Sequence, residues 1–189
     1  TIIFWYSDHG GPLPRQKRLL YDSGLKLPLI VRFPNQWHAS ETDSQLISFV
    51  DFKSTILALA DISVPDYVDG QVFIGKEKAP HRQYIHAAAD RFDSEYDMIR
   101  AVSDGRFKYL KNFFPDKPYY LPLRYREQMP IMQELLRLRD AGQLNDVQMQ
   151  WFRTSKPEEE LFDVAEDPYE LNNLAQDPAY TKKLQELRG

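Results

Sequence analysis

Residues 1–11 run TIIFWYSDHGG, an apolar run that breaks off in a polar turn. Ile2 to Tyr6 are all large and apolar or aromatic, so a strand built from them is apolar on both faces. That is the pattern of an inner strand covered by layers on either side, as in α/β proteins. Such strands lie inside domains, so a chain starting with one is expected to be entered partway through a fold. The run then stops at Ser7-Asp8-His9, and Gly10-Gly11 allow a tight backbone turn at the strand's carboxyl end.

Working outward, Pro12-Leu13-Pro14 and Arg15-Gln16-Lys17-Arg18 read as a loop leaving that end. Leu27 to Phe33 is a second strand, stopped by Pro34. Between Asp43 and Asp61, Leu46, Phe49, Val50, Ile56, Leu57 and Ala60 recur at helical spacing and predict a helix. From about Pro80 the character changes. Arg82 to Ala88 predicts a strand, and Ile99–Ser103 and Arg106–Lys111 predict a hairpin turning on Asp104-Gly105. Glu127 to Ala141 predicts a helix ended by Gly142, with Ile131, Met132, Leu135, Leu136 and Leu138 along one side. Asn145 caps a short helix running to Phe152, and Glu160–Asp163 adds a last strand. Asp167-Pro168 and Asp177-Pro178 both read as helix starts. The fold class is therefore α/β: an incomplete core part over residues 1–78, its sheet a partial mixed one with helices, then a smaller α+β part with an antiparallel sheet over residues 79–189.

The 189 residues suffice for one good core or two small ones. A net charge of −4 argues against binding nucleic acid through its phosphates. No stretch of about 18 consecutive apolar residues proposes a membrane span. Cysteine is absent, which removes disulfides, thiolate metal sites and cysteine nucleophiles from these residues.

Ligands of open α/β sheets bind beyond the carboxyl ends of strands, where Asp8 and His9 stand. A carboxylate there can hold a hard cation and an imidazole can add a nitrogen or meet an anion. The alternative is a polar turn with no ligand. Lys17 and Arg18 return positive charge to the same end if the loop folds back, and a cation with Lys or Arg suits a tetrahedral oxyanion. A solvated basic loop is the plainer reading of these residues, and Arg15 fits it.

These residues carry a resemblance. Ser7-Asp8-His9-Gly10, Lys17, Tyr21 and Leu27 to Arg32, then Ser48 to Asp51, Asp66, Asp69-Gly70, Glu160 to Asp163 and Asp167 to Ala175, resemble the C-terminal part of a sulfatase of the alkaline phosphatase superfamily. The hairpin from Ile99 to Tyr109 and the aromatic loop after it look most like heparan N-sulfatase-like members. The resemblance implies a divalent cation, most often calcium, held in part by Asp8 and His9. It also implies a lysine, here Lys17, against the sulfate or the departing atom. The substrate would be a sulfated saccharide, and the compartment periplasmic, secreted or lysosomal. The family's nucleophile is a formylglycine made in a Cys/Ser-x-Pro-x-Arg motif. Ser63-Val64-Pro65-Asp66-Tyr67 has the proline but lacks the arginine, so the nucleophile is expected outside this chain. The piece alone is then expected to be inactive and to hold the cation weakly or not at all.

Two other functions fit the same residues: a phosphodiesterase or phosphonate hydrolase of the same superfamily, and a non-catalytic glycan-binding module. Gly70 to Lys76 matches a P-loop up to Glu77, which stands where Ser or Thr is needed. His38, His81 and His86 lack partners at metal-ligand spacing. Arg91 to Asp97, and Arg124 and Arg126 near Tyr119, Tyr120 and Tyr125, border a sugar pocket or else form ordinary exposed loops. The apolar faces of the first strand predict self-association through exposed strand edges.

Overall fold

The computed structural model describes residues 1–189 as two compact units, residues 1–39 with 86–189 and residues 40–85. The cut near residue 78 marks the change in sequence character; compactness instead places the first 39 residues with the C-terminal half.

In the first unit, β1 (Ile3–Tyr6), α1 (Asp22–Leu25) and β2 (Leu29–Arg32) follow one another. The two strands pair antiparallel, Ile3 opposite Arg32 and Trp5 opposite Ile30. They form a two-stranded ribbon, so the expected burial of β1 on both faces is not met within this chain. Trp5 and Ile30 are each 59% exposed, and Ile3 and Tyr6 are exposed with them. A doubly covered strand needs neighbours on both edges and layers on both faces, and this chain supplies one neighbour.

The larger sheet has β3 (Ile85–Phe92), β4 (Glu95–Ser103), β5 (Phe107–Asn112) and β6 (Glu159–Asp163) in that spatial order. The β4–β5 hairpin forms as its Asp-Gly turn predicts. Gly105 takes φ 94°, and Asp104 Oδ1 accepts from the backbone N–H groups of Arg106 and Phe107. β3 begins later than expected, and residues 91–97 are strand ends about an Asp93-Ser94 turn rather than a loop. Alternation in β4 turns Asp97, Ile99 and Ala101 inward, where they are buried.

A core of Leu19, Leu20, Tyr21, Ile99, Leu110 and Phe162 is shared by the loop before α1 and this sheet. The turn α3 (Arg124–Glu127) leads into α4 (Pro130–Asp140). Pro130 at the first helical position sets the start three residues later than expected. Met132 is then buried, with Leu135 and Leu136 packed on the core, while Ile131 points to solvent. Gly142, φ 65°, closes the helix, and Gln143 N–H reaches back to Leu138 O at 2.9 Å. Asn145 caps α5 (Asp146–Met149) in a reciprocal box with Gln148. The tail carries α6 (Thr181–Arg188), entered through Asp177-Pro178 as predicted. No helix follows Asp167-Pro168; that segment is a turn, with Glu170 at φ 53°.

The second unit is built on α2 (Val50–Leu59). Its buried face is polar rather than apolar. Asp51, Ser54 and Thr55 are buried, while Phe49, Val50 and Ile56 are exposed. Hydrogen bonds explain the inversion. Asp51 accepts from Ser48 N–H at 2.7 Å, Gln71 N–H at 2.9 Å and Arg82 at 2.6 Å. Ser54 donates to Gly70 O at 2.7 Å, and Thr55 accepts from Phe73 N–H at 3.1 Å. The partner strap needs Gly70, because a Cβ there would lie 2.0 Å from Val50 O.

Candidate functional site

The loop after β1 is held by backbone against backbone. Gly10 N–H donates to Gly24 O at 3.1 Å, and a Cβ on Gly10 would stand 2.0 Å from Ser23 O. A Cβ on Gly24 would lie 2.5 Å from Gln16 O, so both sides of this crossing require glycine. Ser7 Oγ donates to His9 O at 2.7 Å and shapes the turn between them.

Asp8 and His9 are brought together. His9 Nδ1 is 2.7 Å from Gly10 O, an acceptor, so the proton sits on Nδ1 and the Nε2 lone pair is left outward. Nε2 lies 3.5 Å from Asp8 Oδ2. Two lone-pair atoms facing each other at this distance suit a shared cation, or a proton on Nε2. The donor set fits a divalent cation as part of a larger shell. No group of three or more His, Asp or Glu residues in the chain could hold a metal by itself.

The basic run divides by role. Arg15 is not a solvated loop residue: it donates to Tyr169 O at 3.0 Å and Glu170 O at 2.9 Å, and lies 4.2 Å over the Tyr21 ring. Arg18 pairs with Asp93 at 2.8 Å and donates from Nε to the Tyr125 hydroxyl at 3.1 Å. Lys17 N–H closes the loop on Gly11 O at 3.1 Å, and its half-buried side chain joins none of these clamps. The loop is thus tied down by its two arginines, with the lysine between them left available.

Under the loop lies a buried polar anchor that sequence reasoning missed. Lys108 pairs with Glu170 at 2.9 Å and with Asp22, and Asp22 N–H donates to Glu170 Oε2 at 2.6 Å. Tyr21 donates to Glu160 Oε2 at 3.0 Å, and Asn112 to Oε1 at 2.7 Å. Burial raises the Glu160 and Glu170 carboxyls above their ordinary range; hydrogen bonds oppose this at the first and Lys108 at the second. Burial likewise drives the Tyr21 hydroxyl well up. A signal existed: strand alternation places Lys108 on the same face as Leu110 and Asn112, all three buried.

Other candidates separate. Arg126 turns inward over the Trp151 ring at 5.4 Å, where burial lowers its pKa, while Arg124 stays at the surface. The His38 ring packs at a tilt against Trp37, centroids 4.3 Å apart, and His81 and His86 are exposed.

Comparison with known proteins adds to this geometry. The family described as N-sulphoglucosamine sulphohydrolase, C-terminal, matches residues 15–150. An ulvan-active sulfatase of Formosa agariphila is 61% identical over 188 residues, covering 100% of this chain and 32% of that protein. The human N-sulphoglucosamine sulphohydrolase is 29% identical over 213 residues, covering 100% of this chain and 40% of its own length. The chain therefore spans 32–40% of the length of these relatives. A solved structure of a protein in complex with its substrate D-glucosamine-2-N,6-O-disulfate shares the fold, with TM-score 0.68 and 23% identity over 99% of this chain and 32% of that one. With a family match over more than two thirds of its length, this chain belongs to the N-sulphoglucosamine sulphohydrolase C-terminal family of sulfatases.

Proposed function

We propose that the chain is the C-terminal part of an enzyme that hydrolyses the sulfate ester or N-sulfate of a sulfated saccharide, with its formylglycine nucleophile outside these residues. The observation that carries this reading is Asp8 Oδ2 facing His9 Nε2 at 3.5 Å on the loop that also bears the unclamped Lys17. The 61% identity to an ulvan-active sulfatase supports it along the whole chain. In the whole protein, residues 1–78 extend the α/β core and residues 79–189 form the smaller α+β part.

A divalent cation held here, calcium by the family resemblance, would neutralise and orient the sulfate. Asp8 offers a carboxylate oxygen. His9 offers Nε2, kept outward by the Nδ1–H bond to Gly10 O. Lys17 donates to a sulfate oxygen or to the departing oxygen or nitrogen, stabilising the negative charge that develops there. Two donors fall short of the roughly six to eight ligands calcium takes, so the chain alone is inactive and binds the cation weakly.

The test uses the whole protein. Lys17→Ala is expected to slow sulfate release from a sulfated oligosaccharide by about 10²–10³-fold, the loss typical of one missing charge-stabilising donor. Asp8→Asn is expected to weaken calcium binding in a calorimetric titration. Unchanged turnover and unchanged cation affinity would overturn the assignment. Cleavage of a phosphodiester without release of sulfate would replace it with phosphoryl chemistry.

A further inference from the structure

Beside the Lys17 loop lies a cleft that the reaction described above does not use. The β3–β4 connection turns on Asp93, φ 55°, and Ser94. Opposite them stand Leu123, Arg124, Tyr125 and Gln128, and the two walls border a solvent-open depression of about 420 Å³. That is within the range of cavities that take small ligands, roughly 300–1,000 Å³.

The walls are fixed by one residue. Arg18 pairs with Asp93 at 2.8 Å, donates to the Tyr125 hydroxyl at 3.1 Å, and lies 5.4 Å over that ring. The Tyr125 ring is held in place yet 38% exposed, and Leu123 at its base is buried. Charge follows from the same contacts. Asp93 is neutralised by Arg18, whereas Arg124 is exposed and enters none of the chain's ion pairs, so the cleft carries one uncompensated positive charge. An exposed arginine and a fixed aromatic ring that line one cleft with Ser94 and Gln128 suit a pyranose that bears a carboxylate or a sulfate. The guanidinium takes the anion in a two-pronged bond, and the ring packs on the sugar's C–H face.

We propose that this cleft is an accessory saccharide subsite that binds an anion-bearing pyranose, with Arg124 reading the anion and Tyr125 as the packing platform. Arg18 is the positioning residue, and because it directly follows Lys17, the subsite and the proposed sulfate-facing lysine hang on one loop. The identity of the sugar rests on the sulfatase reading; the existence of the subsite does not.

The experiment is a calorimetric titration of this chain with a sulfated, uronic-acid-containing disaccharide, with no turnover required. Saturable binding is expected. Arg124→Gln should weaken it by at least about tenfold, the scale of a lost charge-assisted pair. Arg124→Lys should be intermediate, and Arg137→Gln, a surface arginine paired with Glu134, should leave it unchanged. The uncharged disaccharide of the same linkage should bind at least about tenfold more weakly. No saturable binding, equal binding by Arg124→Gln, or equal binding of the uncharged sugar would each overturn the subsite. Because the readout is binding, a whole protein that releases no sulfate refutes the sulfatase reading alone. A working sulfatase whose chain ignores the disaccharide refutes the subsite alone.

Discussion

Gly10→Ala tests whether the glycine crossing holds the Asp8-His9 turn. The new Cβ would lie 2.0 Å from Ser23 O and 2.9 Å from Gly24 Cα. Ordinary contact begins near 3.4 Å, so the two backbones must part by about 1.4 Å. The Gly10–Gly24 hydrogen bond, 3.1 Å long, cannot survive that separation. Nor can the far side yield freely, because Gln16 O and Leu19 O crowd Gly24 so closely that a Cβ there would meet them at 2.5 and 2.6 Å. Forced packing costs about 1–3 kcal/mol and the lost bond about 0.5–1.5 kcal/mol, so the expected destabilisation is about 2–4 kcal/mol. For a chain of this length, that lowers the melting temperature by about 4–16 °C. The chain has three tryptophans, Trp5, Trp37 and Trp151, and all lie in the unit that contains Gly10. Tryptophan fluorescence in a urea titration therefore reports the right transition. In the whole protein, displacing Asp8 and His9 by about 1 Å should also cost turnover about 10²-fold. A variant within about 0.5 kcal/mol of the parent, with turnover intact, would show that the crossing does not need glycine.

Three further outcomes are expected. Lys156 and Asp97 form an ion pair with side chains 0% and 3% exposed. Lys156→Met would strand the Asp97 carboxylate and cost about 3–5 kcal/mol, and a loss under 1 kcal/mol in urea unfolding would contradict the burial argument. The Arg106 guanidinium makes hydrogen bonds to both oxygens of Asp163 and holds that carboxyl below its ordinary range. A carboxyl whose folded pKa is lowered adds stability above its unfolded value of about 4 and loses it as pH falls through the folded one. Arg106→Gln should therefore move the acid-unfolding midpoint to higher pH, and an unmoved midpoint would remove Asp163 from the acid limb. Finally, the exposed Ile3, Trp5 and Ile30 of the β1–β2 ribbon should make the isolated chain self-associate. Light scattering that shows a monodisperse monomer would dispose of that expectation.

What the sequence announced correctly was local. The Asp104-Gly105 turn, the Asn145 cap, the Gly142 stop and the Asp177-Pro178 start each depend on neighbouring residues, and each forms. Asp8 and His9 stand side by side for the same reason, since adjacent residues after a strand end have little freedom to part; that they hold a cation is the proposal. Helical periodicity, by contrast, does not say which face is buried. In α2 a carboxylate and two hydroxyls lie inward because a strap some 15–20 residues later brings backbone groups to them. Apolar spacing finds the helix, but the strap chooses its inner face. Arg15 and Glu170 were misread, as a solvated arginine and a helix-start device. Their partners are more than 50 residues away in the chain, beyond any local window.

These distant partners give the loop its mechanical character. Of Arg15, Lys17 and Arg18, the first is fastened to the tail at Tyr169 and Glu170, and the last to the β3–β4 turn and Tyr125. α1 is fastened at Asp22 to Lys108 and Glu170, both buried. A buried ion network of this kind is weak evidence for extra stability, since apolar replacements of similar volume often do as well. Its directional bonds do fix where the loop lies on the sheet. The sheet of β3 to β6, which contributes neither Asp8, His9 nor Lys17, therefore sets where those three residues stand. Substitutions at Lys108 or Glu170 should thus disturb the proposed cation site without touching it, by releasing α1 at Asp22 and with it the loop that α1 follows.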